Sequence, residues 1–153
     1  MKNNRVDQAL SAYEMNFNCC QSVLSAYAEV LDLDKNTSLR LASGFGGGMS
    51  QQGITCGAVV GAYMVIGLLV GNANPDDELN KDTVHNLIME FNSDFIRLNK
   101  YTNCKELLGK DVSKPDELEY LRENKIFDNS CPKFVGDASK LLEEIIKKYN
   151  NGK

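Results

Sequence analysis

The chain contains no tryptophan, three prolines and one histidine, His85, among its 153 residues. A single histidine excludes mechanisms that need two, such as the HExxH zinc site. Lys and Arg form no long run and the net charge is −4, so we expect neither nucleic acid nor an anionic membrane as a partner. The first fifteen residues are charged and lack an apolar signal segment. We therefore expect a cytoplasmic protein, in a compartment where structural disulfides are rare.

The apolar pattern predicts an all-α fold. Apolar side chains recur every three or four residues along the chain, which is the spacing of one helix face. No stretch shows the alternation of apolar and polar residues that is typical of a β-strand. Hydrophobic residues make up 42% of the sequence, enough for a core without disulfide staples. We expect one domain over residues 1–153, a helical bundle of about five to seven helices. The helices are predicted over 3–14, 18–31, 37–43, 55–71, 75–100, 104–108, 115–124 and 132–149.

The segment 55–71 is predicted to be a buried central helix. No charged residue occurs from Leu41 to Pro75, and the apolar run within it is shorter than the roughly 20 residues of a transmembrane helix. We therefore expect no membrane span. The glycines of this segment would allow neighbouring helices to approach closely. By contrast, the 115–124 helix has few apolar residues and is interpreted as an exposed flap.

Four of the five cysteines each follow a residue that commonly caps helices, which gives the pairs Asn18-Cys19, Thr55-Cys56, Asn103-Cys104 and Ser130-Cys131. Pro132 after the last pair is typical of a first helical turn. A thiol in that turn faces free N–H donors and the positive end of the helix dipole, which favour the thiolate. The pattern predicts that these four cysteines converge in one site. The alternative is that they act as small buried hydrophobes, which is how we interpret Cys20.

A glycine cluster, Gly44-Phe-Gly-Gly-Gly48, precedes the second of these cysteines. It matches no phosphate-binding loop. It is either a flexible turn or a segment whose backbone N–H groups approach a cofactor or a sulfur. The candidate cofactor-binding residues are Gly46, Gly47, Gly48, Thr55 and Gly57, while Met49, Gln51 and Gln52 could add polar contacts. His85 lies off the apolar stripe of its helix and is interpreted as a surface residue.

These motifs together resemble the C-GCAxxG-C-C family of redox-active proteins. The resemblance lies in Asn18-Cys19 with Gln21-Ser-Val23, in Gly44–Met49, in Thr55-Cys56-Gly-Ala-Val-Val-Gly61, in Cys104-Lys-Glu-Leu-Leu-Gly109 and in Cys131-Pro132. It covers roughly residues 17 to 145. The chain reads CGAxxG where the family label reads GCAxxG. The resemblance implies that Cys19, Cys56, Cys104 and Cys131 are the characteristic cysteines, and it leaves Cys20 outside the set.

Three functions follow as hypotheses. The first is an electron carrier whose four thiolates, as metal ligands, hold an iron–sulfur cluster. The second is a metal-free thiol–disulfide oxidoreductase with Cys56 as its nucleophile and another cysteine as the resolving thiol. The third is a structural zinc site with four cysteine ligands. The sequence does not decide whether the chain is an enzyme. The sequence also does not identify a redox partner, and it leaves open whether the protein forms a homo-oligomer.

Overall fold

Eight α-helices account for most of the chain in a computed structural model that describes residues 4–152. They are α1 Arg5–Glu14, α2 Cys19–Ala28, α3 Lys35–Leu41, α4 Gly57–Val70, α5 Glu78–Asn99, α6 Cys104–Leu108, α7 Pro115–Glu123 and α8 Ile126–Asn151. Residues 4–152 contain no β-strand, only an isolated antiparallel bridge between Thr55 and Asn103. The all-α prediction is confirmed.

Helix α4 lies at the centre of the bundle and packs against α2, α5 and α8. It carries no charged residue, and eight of its side chains or glycines are buried, from Gly57 and Ala58 to Val70. A helix that is apolar on all sides requires such a central position. Within residues 4–152, no helix has the length and apolar character needed to cross a membrane.

Glycines set the distance between α2 and α4. A Cβ added to Gly61 would lie 3.0 Å from both the carbonyl oxygen of Cys20 and the Cβ of Val23. A Cβ added to Gly57 would lie 2.9 Å from the carbonyl oxygen of Phe45 and 3.0 Å from the backbone nitrogen of Cys20. The two helices can therefore pack this closely only because both positions lack side chains.

The start of α2 is held by a reciprocal cap. The Asn18 side chain accepts the N–H of Gln21 at 2.9 Å, and the Gln21 side chain accepts the N–H of Asn18 at 3.0 Å. The Asn18 amide also donates to the carbonyl oxygens of Ala42 and Ser43, at 3.3 and 3.0 Å. This second pair of bonds fixes the beginning of α2 against the segment that leads into the glycine cluster.

Helix α1 is attached to α8 by polar contacts at both of its ends. Arg5 donates to both carboxylate oxygens of Glu143, at 2.7 and 2.8 Å. Near the other end, the Tyr13 hydroxyl donates to the carbonyl oxygen of Phe127 at 3.3 Å. These contacts determine where the Tyr13 side chain lies relative to α8.

Two helix starts differ most from the predicted ones, and the other starts agree within two residues. Helix α8 begins at Ile126, so Pro132 is inside it and the predicted start at Pro132 is wrong. An internal proline removes one helical hydrogen bond, but Ile126 and Phe127 pack against a buried cluster of Cys104, Val112 and Leu121. That burial favours the extra turns. Helix α5 begins at Glu78 rather than at Pro75, because the Asp77 carboxylate caps it.

Most side chains of residues 115–124 are exposed, as expected, but the segment is not an isolated flap, because it also packs against a buried cluster. Leu121 is fully buried and joins the small cluster with Cys104 and Val112. Leu118 of the same helix packs against this cluster as well, and two apolar residues suffice because the cluster is small. Helix α7 is thus a packed part of the fold, next to one of the four cysteines.

The close packing of α2 and α4 predicts opposite effects for two glycine substitutions. Gly61→Ala should lower the free energy of unfolding by about 1–3 kcal/mol, because its methyl group meets backbone and Val23 atoms. Gly67→Ala, in the same helix with nothing within 4 Å, should raise it by about 0.5–1 kcal/mol. Urea unfolding followed by circular dichroism measures both. A stabilised Gly61→Ala variant would contradict the close approach.

Candidate cysteine site

Four cysteines that lie in or directly before four different helices line one cavity of about 600 Å³. They are Cys19, Cys56, Cys104 and Cys131, and each pair among them interacts electrostatically. Cys20 is fully buried in the main core and does not line the cavity. The residues that the sequence pattern selected are therefore neighbours in space, although they are far apart in the chain.

The capping pattern accounts for two of the four positions. Cys19 and Cys104 are the first residues of α2 and α6, as expected, with Asn18 and Asn103 as caps. Cys56 was expected in the first turn of α4 with Thr55 as the cap, but Cys56 is itself the cap, and the helix begins at Gly57. Cys131 lies inside α8 and not in a first turn. Its place beside the other cysteines comes from the packing of α8 and not from a helix start.

The isolated bridge brings Cys56 next to Cys104. The N–H of Cys56 donates to the carbonyl oxygen of Thr102 at 2.8 Å, and the N–H of Cys104 donates to that of Ile54 at 2.7 Å. In an antiparallel pair, the residues that follow the two bridging residues project to the same face. Thr55 forms the bridge with Asn103 and is not among the cavity-lining residues, whereas Gly46, Gly47, Gly48 and Gly57 are.

The glycine cluster leads into a left-handed turn that forms one wall of the cavity. Five successive residues from Gly47 to Gln51 have positive φ, with values of 66, 69, 66, 57 and 60°. Met49, Ser50 and Gln51 are not glycines, so this conformation carries backbone strain. A Cβ added to Gly48 would lie 2.6 Å from the Cβ of Cys104. The turn therefore packs directly against the third cysteine.

Cys19 and Cys131 form a hydrogen-bonded thiol pair. The hydrogen bond from Cys19 lowers the pKa of Cys131, while burial and the Asp128 carboxylate act in the opposite direction. The Tyr13 hydroxyl adds a second donor that also lowers this pKa, and it shares its one proton between the Cys131 sulfur and the carbonyl oxygen of Phe127. The same bond to Cys131, together with burial, raises the pKa of Cys19. Cys131 has two donors directed at its sulfur, so it loses its proton first.

Burial dominates at the other cysteines. It raises the pKa of Cys56 to about 11, although the N–H groups of Ala58 and Val59 favour the thiolate. It raises the pKa of Cys104 to about 12 and that of Cys20 to about 12. These three groups are thiols at neutral pH. Hydrogen bonding thus favours the thiolate at Cys131, whereas burial disfavours it at Cys56, which the sequence-based hypothesis made the nucleophile.

Thiolate sulfur suits zinc and iron–sulfur centres, so the donor set of the four cysteines fits such a group chemically. Their arrangement does not. In residues 4–152, no three or more His, Cys, Asp or Glu side chains are grouped so that they could hold a metal ion. His85 is exposed on α5, as expected, and does not line the cavity.

Three residues of the site were not found from the sequence: Tyr13, Arg122 and Asp128, all of which line the cavity. No local pattern marks them. Tyr13 follows the apolar stripe of α1 as a core residue would, and the two charged residues occur among ordinary surface charges near the junction of α7 and α8. Only the packing of α1, α7 and α8 brings them to the cysteines.

Fold and site together define a helical protein with four cysteines around one shared cavity. The chain belongs to the family described as "Putative redox-active protein (C_GCAxxG_C_C)", whose model matches residues 17–145. This confirms the resemblance carried by the sequence motifs. No curated protein and no solved structure matches the chain.

The hydrogen bond from Tyr13 predicts the direction in which a substitution shifts the Cys131 pKa. Tyr13→Phe should raise that pKa, because the thiolate loses one of its two donors. The pH midpoint of Cys131 alkylation by iodoacetamide, resolved by peptide mass spectrometry, should move upward. Tyr63→Phe removes a hydroxyl that binds Asn92 outside the cavity and serves as the control. An unchanged midpoint in Tyr13→Phe would refute the role of the tyrosine.

Proposed function

We propose that this chain is a thiol–disulfide redox protein in which Cys131 is the nucleophilic thiolate and Cys19 is the resolving thiol. One observation carries the proposal: the Cys19 thiol is hydrogen-bonded to Cys131 inside a cavity, and Tyr13 donates to the same sulfur. Such a pair combines a stabilised thiolate with a second thiol in position to displace a bound group. The family description supports redox activity in general terms.

In the first step, the Cys131 thiolate attacks one sulfur of a substrate disulfide. A bond forms between Cys131 and that sulfur, the substrate S–S bond breaks, and the other half leaves as a thiolate that takes a proton. The product is a mixed disulfide on Cys131. The hydrogen bonds from Tyr13 and Cys19 lower the pKa of Cys131 and so favour its thiolate form before this attack.

In the second step, Cys19 gives up its proton and attacks the Cys131 sulfur of the mixed disulfide. The Cys19–Cys131 disulfide forms and the second half of the substrate leaves as a thiol. In total, two protein thiols are oxidised and one substrate disulfide is reduced to two thiols. A dithiol reductant then restores the protein by the reverse exchange. A reducing cytosol, which we propose as the location, supplies reductants of that class.

A second candidate is an iron–sulfur cluster held by all four cysteines for electron transfer. The shared cavity and the electrostatic interaction of every cysteine pair favour it. The cysteines would need to move closer together to hold any metal, because they form no metal-binding group as they stand. A structural zinc ion on the same four sulfurs would require the same movement of the cysteines. The thiol pair requires no such rearrangement, which is why we place it first.

Trapping of the mixed disulfide tests the proposal. Reduced wild-type protein treated with bis(2-hydroxyethyl) disulfide should end with a Cys19–Cys131 disulfide. The Cys19→Ser variant should accumulate a stable mixed disulfide on Cys131, because no thiol is placed to resolve it. Cys131→Ser should lose the reaction. Peptide mass spectrometry after acid quenching identifies each product.

Cys20→Ala is the matched control, since Cys20 is buried behind the cavity, and it should react as the wild type does. Attack at Cys56, or wild-type reactivity in Cys131→Ser, would contradict the assignment. Iron and sulfide analysis of anaerobically purified protein tests the second candidate. Brown protein that loses its iron in each of the four single Cys→Ser variants would support the cluster in place of the thiol pair.

A further inference from the structure

Two opposite charges line the cysteine cavity without a partner. Arg122 on α7 and Asp128 on α8 are the charged residues among those that line it. Over the described part of the chain, neither side chain takes part in an ion pair, and neither makes a side-chain hydrogen bond. Exposed charges commonly have no partner, but these two share one concave site with the reactive thiols. Both are therefore available to a ligand.

The position of Asp128 is unfavourable for the thiol pair alone. Its negative charge raises the pKa of Cys131 and contributes to the raised pKa of Tyr13. A carboxylate beside a reactive thiolate weakens the nucleophile unless a cation offsets it. A cationic group of a bound ligand would supply that offset at the moment of binding. The same ligand would need an anionic group to engage Arg122.

The cavity has the size of a small-molecule site. Its volume of about 600 Å³ lies within the roughly 300–1,000 Å³ range of ligand pockets. Phe127 and Phe134 supply apolar surface, while Asn16, Ser50 and Gln51 supply neutral polar groups. This lining suits a compact ligand with an apolar middle and charged ends.

We infer that the cavity binds a small disulfide of the α-amino-acid class, with a carboxylate on Arg122 and an ammonium group on Asp128. The redox step of this inference rests on the proposed thiol–disulfide function. The reaction is the one given above: a cystine-type disulfide accepts two electrons and leaves as two amino-acid thiols, while Cys19 and Cys131 become a disulfide. The charged pair orients the substrate so that its S–S bond faces Cys131.

Binding of lanthionine, the thioether analogue of cystine, tests the inference without any redox step. Isothermal titration calorimetry with reduced wild-type protein should show binding. Arg122→Gln and Asp128→Asn should each weaken it about tenfold or more, since each removes a hydrogen bond to a charged group. Arg40→Gln and Asp82→Asn change exposed charges away from the cavity and should keep the wild-type affinity.

Bis(2-aminoethyl) sulfide lacks both carboxylates and completes the design. Its affinity should fall in Asp128→Asn but not depend on Arg122. Failure of lanthionine to bind wild-type protein, or equal weakening in the control variants, would overturn the inference. If bis(2-hydroxyethyl) disulfide is still reduced in that case, the proposed function survives and only the substrate class is wrong. If lanthionine binds as predicted but no disulfide is reduced, the binding site is supported and the proposed thiol–disulfide function is contradicted.

Discussion

The close approach of α2 and α4 is the constraint on which the rest of the structure depends. At Gly57, an added Cβ would lie 2.9 Å from the carbonyl oxygen of Phe45 and 3.2 Å from the Cβ of Cys19. The absence of a side chain there allows the beginning of the glycine cluster, the start of α2 and the start of α4 to meet at one point. Cys19 and Cys56 reach the same cavity for that reason, and the left-handed turn that packs on Cys104 closes it.

Within that cavity the cysteines are not equivalent, because burial and hydrogen bonding act on them differently. Burial alone disfavours every thiolate, and it prevails at Cys56 and Cys104. Cys131 differs because Tyr13 and Cys19 both donate to its sulfur. The position of Tyr13 depends in turn on the attachment of α1 to α8 through Arg5 and Glu143. A contact far from the cavity thus supports the asymmetry that a thiol–disulfide reaction needs.

Much of this arrangement could be predicted from the sequence, and the reasons are local. Helical periodicity located the helices, and the asparagine caps located Cys19 and Cys104, because capping is decided within a few residues. Cys131 has a capping serine before it and a proline after it, yet burial of Ile126 and Phe127 extends α8 past both. Arg122, Asp128 and Tyr13 carry no local signal. Their roles follow only from the tertiary packing of the helices, which cannot be recognised from the spacing of residues in one sequence.

The central claim is that Cys131 is the thiolate of the site. Alkylation of the reduced wild-type protein across a pH series, quantified separately for each cysteine by peptide mass spectrometry, tests it most directly. The account predicts that Cys131 is labelled at the lowest pH, and that Cys19, Cys56 and Cys104, whose pKa values are all raised, are labelled only in strongly alkaline solution or after unfolding. Labelling of Cys56 or Cys104 before Cys131 in the folded protein would contradict it.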